Sequence, residues 1–161
     1  MIGMEIIGSE RVITALGEAP VKVNVAVKSS LDAFAAELAS YIKSDKLAGN
    51  PLHRRSGNLS ASIFPYRQDS GTGMEGGARG GGDIPYAKIH EFGGVIPAHE
   101  VVARNARALS FTVDGVRRFA KSVQIPAVTM PERSYMRSAF EERAPSGIEQ
   151  LRAAVKEAIA A

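Results

Sequence analysis

Between Pro20 and Leu47, apolar residues recur at Leu31, Phe34, Leu38, Tyr41 and Ile42. These are the spacings of three and four that place side chains on one face of an α-helix. Such a face has to be covered, so this pattern requires a helix packed on other elements. The first turns carry a competing signal. Val21, Val23, Val25 and Val27 alternate as in a strand, and β-branched residues are slightly disfavoured in helices. Pro20 suits a first helical position, and Val21, Val25 and Leu31 can share the broad apolar face. The segment therefore reads as one long helix ending near Gly49-Asn50-Pro51. A short helix over Ser9 to Leu16, stopped by Gly17, is expected before it.

After Pro51 the periods shorten. From Leu59 to Tyr66, Ser60 and Ser62 alternate with Ala61 and Ile63 as in a strand. Leu109, Phe111 and Val113 run into Asp114-Gly115 and Val116, a dipeptide that favours a two-residue hairpin turn. Phe119, Val123 and Ile125 continue the returning strand. Pro131 and Glu132 after Thr129 read as a helix start. Ser146 with Glu149 reads as a second capping box ahead of Ile148, Leu151, Val155 and Ile159. The expected class is α+β: a long N-terminal helix and C-terminal helices packed on a mainly antiparallel sheet. A chain of 161 residues is expected to make one domain over 1–161, with an N-terminal extension 1–19, a Gly-rich loop 69–83 and a C-terminal helix 146–160.

Several chemistries are excluded or weakened. No cysteine is present, which removes thiol catalysis, disulfides and cysteine-zinc sites. The Gly-rich run 71–82 lacks the Gly-Lys-Ser/Thr ending of a phosphate-binding loop, and no buried strand leads into it. His90-Glu91 begins like a zinc helix but has no second His four positions on, and a metal site from His90 with His99 and Glu100 across a turn needs a geometry the sequence does not supply, so His53, His90 and His99 read as structural. No Gly-x-Ser-x-Gly elbow appears among the serines. No apolar run approaches a membrane span, and the first residues lack a signal-peptide pattern, so the chain is expected to be soluble and made in the cytoplasm.

Twenty Lys and Arg against seventeen Asp and Glu leave a formal charge of +3. The excess is uneven: residues 51–67 and 101–125 are basic and 68–100 acidic. One basic cluster is His53-Arg54-Arg55. The other is Arg104, Arg107, Arg117, Arg118 and Lys121 around the hairpin, where strand alternation turns Arg118 away from Arg117. Salt bridges to the acidic block, within or between subunits, are the expectation; phosphate contact is the alternative. Aromatics make up 6% with no Trp, too few for single-strand stacking platforms.

Three segments carry a resemblance. The first is Asp45-Lys46-Leu47-Ala48-Gly49 leading to His53-Arg54-Arg55-Ser56-Gly57-Asn58-Leu59-Ser60 and Ser62-Ile63. The second is Tyr86-Ala87-Lys88-Ile89-His90-Glu91-Phe92-Gly93-Gly94. The third runs from Ile125-Pro126-Ala127 through Pro131-Glu132-Arg133-Ser134-Tyr135-Met136-Arg137-Ser138-Ala139-Phe140. In order and spacing they resemble the tail-completion, or head-tail joining, family of long-tailed bacteriophages, the gene-ten family of an HK-type lambdoid phage. The resemblance covers about residues 20–143. The Gly-rich stretch and Val128-Thr129-Met130 look like expansions of the family pattern.

The resemblance implies a structural virion protein and no enzyme. It implies a ring at the neck or upper tail, expected to have six copies, that meets the tail tube protein and the head-side connector. Such a protein is assembled in the bacterial host cytoplasm and ends in the virion. Passive contact with DNA in the lumen fits the same reading, membrane contact does not, and no cofactor or metal is expected. The alternative function is a small nucleic-acid-binding or packaging accessory. Expected subunit or partner contacts are Arg54, Arg55, Arg79, Arg117, Arg118, Tyr135 and Arg137. The Gly-rich loop is expected to be mobile in the subunit, to order on assembly with Arg79 as its pairing charge, and to be removable without loss of folding.

Overall fold

The apolar stripe around Phe34 does form a helix, and a longer one than its own pattern asks for. In the computed structural model, which describes residues 9–49, 51–53, 55–70 and 73–160, α1 spans Ser9–Tyr41 without a break. Gly17 does not stop it, and Pro20 lies inside it, forgoing the bond to the carbonyl four residues back. Val21 and Val25 are exposed rather than part of the buried face. The burial that fixes α1 begins at Phe34 and continues through Ala35, Leu38 and Ala39. Earlier turns are held by packing as well, with Val23, Ala26, Val27 and Leu31 half-buried and α1 seated on α4, β1 and β2, so a strand-like Val alternation with no strand partner loses to the helix.

A π-helical segment, Ile42–Lys46, follows α1. The Leu47 N–H reaches the Ile42 carbonyl five residues back at 2.9 Å, and Ile42, Lys46 and Leu47 are all buried. The expected strand at Leu59 instead opens with a single helical turn, α2 (Asn58–Ala61), entered through Gly57 at φ 81°. The strand proper, β1, is Phe64–Ser70.

The Gly-rich stretch is the main departure from the sequence reading. Gly73–Arg79 forms β2, which pairs antiparallel with β1 from Phe64↔Arg79 to Ser70↔Gly73. Both strands pack on α1. Arg67 bonds Asp32 at 2.7 Å and also pairs with Asp69, while Lys28 reaches Asp69 at 3.2 Å. Ordered pairing with β1 offsets the entropy that the glycines lose. Removing residues 71–82 would therefore strip β1 of its partner, and the expectation of a dispensable loop is withdrawn.

The C-terminal reading changes too. Neither Pro131 nor Ser146 starts a helix: α4 runs Arg137–Ala160 continuously through Pro145. Ser134 supplies the opening contacts, accepting from the Ser138 N–H at 3.3 Å and receiving the Ser138 hydroxyl on its carbonyl at 2.7 Å. Arg133 lies before the helix, which Arg137 opens. α4 packs on α1, with Phe34 and Phe140 edge to face at 6.2 Å and 76°.

Packing divides the chain into two compact units. The first comprises the residues up to Ala87 and from Ser134 on. It contains every buried apolar side chain among the described residues, including Phe34, Leu38, Ile42, Leu47, Leu59, Ile63, Ala87, Tyr135 and Ala139.

The second unit, Lys88–Arg133, begins within α3 (Ala87–Phe92) and continues as three antiparallel ladders. β3 (Gly94–Ile96) pairs with β8 (Val128–Met130), β4 (His99–Val102) with β7 (Ser122–Ile125), and β5 (Leu109–Val113) with β6 (Val116–Ala120). The ladders are nested into one two-stranded ribbon instead of a single sheet. From Gly94↔Met130 to Val102↔Ser122 the register is constant, and the Ala103 N–H continues it to the Lys121 carbonyl at 2.9 Å. Residues 104–108 are an excursion of the outgoing strand, after which Leu109 pairs with Ala120. The tip is the expected two-residue turn: Asp114 at φ 52° and Gly115 at φ 78° are the paired positive torsions that select Asp-Gly.

Candidate interaction surface

The expected contact residues are divided between the two units. Arg55, Arg79, Tyr135 and Arg137 belong to the helical unit, and Arg117 and Arg118 to the ribbon. Arg54 lies outside the described residues. Arg55 is exposed just before α2, and Arg137 is exposed at the first position of α4. Arg79 is engaged within its own chain: its guanidinium lies 3.2 Å from the centre of the Tyr66 ring and 4.0 Å from Glu75. Tyr135, expected to meet a partner, is only 2% exposed and is a core residue. The sequence showed its apolar character but not that the bend just before α4 would place it in the core.

Sequence reading missed a polar clamp inside the helical unit. Lys46, only 6% exposed, bonds Glu142 Oε1 at 2.7 Å, and the Tyr41 hydroxyl donates to Glu142 Oε2 at 2.6 Å. Arg143 covers the Tyr41 ring at 3.9 Å and reaches Glu37 at 3.6 Å. A buried ammonium requires such a partner. The pair is separated by 96 residues, so no local pattern announces it.

The clamp makes a pH prediction. The Lys46 hydrogen bond, followed by that from Tyr41, holds the Glu142 carboxyl below its ordinary value of 4.5. Arg67 and then Lys28 do the same for Asp69. Groups with depressed folded values contribute stability above their unfolded values and lose it as pH falls through the folded ones. Thermal stability should thus drop below about pH 4.5, and the Glu142→Gln variant should melt lower at neutral pH with a shallower acid dependence. At the other end, the hydrogen bond to Glu142 pushes the Tyr41 phenol up to about 12. Its contribution is complete below 10 and disappears as pH rises through about 12. Melting curves across this range check both limbs; an unchanged profile in Glu142→Gln would show the clamp to be inert.

The ribbon holds the most distinctive surface. Within Lys88–Arg133, seven Lys and Arg stand against four Asp and Glu, so the whole formal excess of +3 lies there and the rest of the chain is balanced. None of Arg104, Arg107, Arg117, Arg118 and Lys121 makes an ion pair among the described residues. Register places Leu109, Phe111, Val113, Val116, Arg118 and Ala120 on one face of the β5–β6 hairpin, and Ser110, Thr112, Arg117 and Phe119 on the other. Val116 is 58% and Phe119 66% exposed. Each strand has a single hydrogen-bonded neighbour, which leaves its second edge open within the described structure.

No group of three His, Cys, Asp or Glu among the described residues is placed to hold a metal ion, and no described helix is long and apolar enough to cross a membrane. A depression between α1 and α4, lined by Ala26, Ser29, Ser30, Ala154, Glu157 and Ala158, brings one carboxylate together with small side chains and offers no acid-base pair. Comparison of the chain with protein-family models, with curated proteins and with solved structures gave no match in any of the three.

Proposed function

We propose that the protein is a structural virion component of a tailed bacteriophage or phage-like particle. It forms a ring at the neck or upper tail that terminates the tail tube and joins it to the head-side connector. The observation that carries this reading is the ordered set of three motifs. Their packing supports it: Leu59 and Ile63 of the first, Ala87 of the second, and Tyr135 and Ala139 of the third all enter one core. Motif residues that build a core carry a likeness of fold, and the reading assigns that fold to assembly. Val21 and Val25 on α1, with Ile148 and Ile159 on α4, remain exposed and supply apolar surface for neighbouring copies.

Light scattering and negative-stain images of the purified protein, alone and with tail tubes, test the proposal. Rings of uniform size that cap tubes are expected. A strict monomer that associates with neither tubes nor connectors would overturn it.

A further inference from the structure

We infer that the distal half of the β-ribbon is a binding element for duplex nucleic acid, inserted between the two phosphate backbones of a groove. The inference stands independently of the ring proposal and rests on three features of the ribbon.

The first is charge. Residues 103–121 hold five cations, Arg104, Arg107, Arg117, Arg118 and Lys121, against the one acid Asp114. None of the five is neutralised by an ion pair among the described residues, and the helical unit, being balanced, offers no comparable excess of acid. The complement of this element is a polyanion.

The second is how the cations are arranged. Arg118 lies on one face of the hairpin, across from Phe111, and Arg117 on the other, across from Thr112. Arg104 and Arg107 extend from the excursion on the outgoing strand, and Lys121 from the joint between β6 and β7. Cations on both faces suit an element with phosphates on either side. They do not suit a face laid flat on an apolar protein partner, which would bury Arg118 among Phe111, Val113 and Val116 at the cost of an unpaired charge.

The third is shape. A two-stranded ribbon fits the major groove, about 12 Å wide. The returning strand from Val116 to Met130, at about 3.3 Å per residue, extends roughly 45–50 Å, enough to reach well into a duplex. At the tip, Val113 and Val116 pair beside the turn and present apolar surface that thymine methyl groups or an unstacked base step accept. Asp114, which the turn torsions favour, would be repelled by phosphates and is thereby directed toward base edges on the groove floor.

The test is fluorescence anisotropy of a labelled duplex of about 25 base pairs, titrated with the full chain over a range of KCl concentrations. Five phosphate contacts predict a slope of log affinity against log salt of about −4.5, a loss of roughly 500-fold between 50 and 200 mM. The triple variant Arg117→Gln, Arg118→Gln, Lys121→Gln should bind at least tenfold more weakly at about 100 mM salt, with the slope reduced by about 2.7. Lys156→Gln, an exposed cation on α4, should leave binding unchanged. Circular dichroism of each variant checks folding. Absence of salt-dependent binding, equal affinity for a single strand of the same length, or a triple variant as tight as the parent would each overturn the assignment. A triple variant that keeps duplex affinity but loses self-association would identify the ribbon as a protein contact instead and overturn it equally.

Discussion

Tyr135→Ala is expected to destabilise the helical unit by about 3–5 kcal/mol, the range for truncating a large buried aromatic side chain. The ring is 2% exposed and belongs to the same cluster as Leu59, Ile63, Ala87 and Ala139, so its removal leaves a cavity bordered by all three motif segments. Gly81 approaches it closely: a Cβ there would come 3.1 Å from the Tyr135 hydroxyl oxygen and 2.8 Å from Ala87 Cβ. Backbone packed this tightly around the ring cannot collapse freely into the space, which puts the expected cost toward the upper part of the range. Because a typical domain is stable by only about 5–15 kcal/mol, the variant should unfold at a much lower urea concentration. Tyr135→Phe, which keeps the ring, should retain most of the stability. A Tyr135→Ala variant that unfolds like the parent but fails to assemble would restore this residue to a partner surface.

That residue also shows what the sequence made legible. The helical stripe through Phe34 and Ile42, the Asp-Gly hairpin tip and the α+β class follow from short-range rules, namely side-chain period and turn chemistry, and the structure has all three. Helix ends were read less well. Pro20, Gly17 and Ser146 are local stop or start signals, and each lies within a longer helix whose persistence is decided by α1–α4 packing rather than by the local residue. The Lys46–Glu142 clamp joins positions far apart in the chain, and a lysine in a helical run reads as solvated until its partner is known. The ribbon was half legible. Its tip was plain, while the nesting of β3, β4 and β5 against β8, β7 and β6 depends on a register that no single segment specifies.

Glycine composition misled in another way, and Gly80→Ala is where that error has its largest measurable consequence. Seven glycines between 71 and 82 suggest a chain with nothing to anchor it, yet one of them occupies a place where even a methyl group does not fit. A Cβ on Gly80 would lie 2.5 Å from the Ser62 carbonyl oxygen and from Ile63 Cδ1, and 2.9 Å from Ile63 Cα. Two of these are backbone atoms that cannot rotate aside, and Ile63 is itself buried in the core, so the β1–β2 hairpin must shift at its base. The expected cost is about 3 kcal/mol, at the upper end for overpacking. Gly77 is the internal control. It pairs with Tyr66 in the middle of β2, which ends one residue before Gly80, and nothing lies within 4 Å of a Cβ there. Gly77→Thr should therefore be neutral or stabilising by up to about 1 kcal/mol, since a β-branched residue restricts the unfolded chain and suits a strand. Urea unfolding of the two variants separates the alternatives. A mobile loop would accept both substitutions without effect, whereas a strand seated on α1 with its end wedged against Ser62 and Ile63 gives opposite outcomes three positions apart.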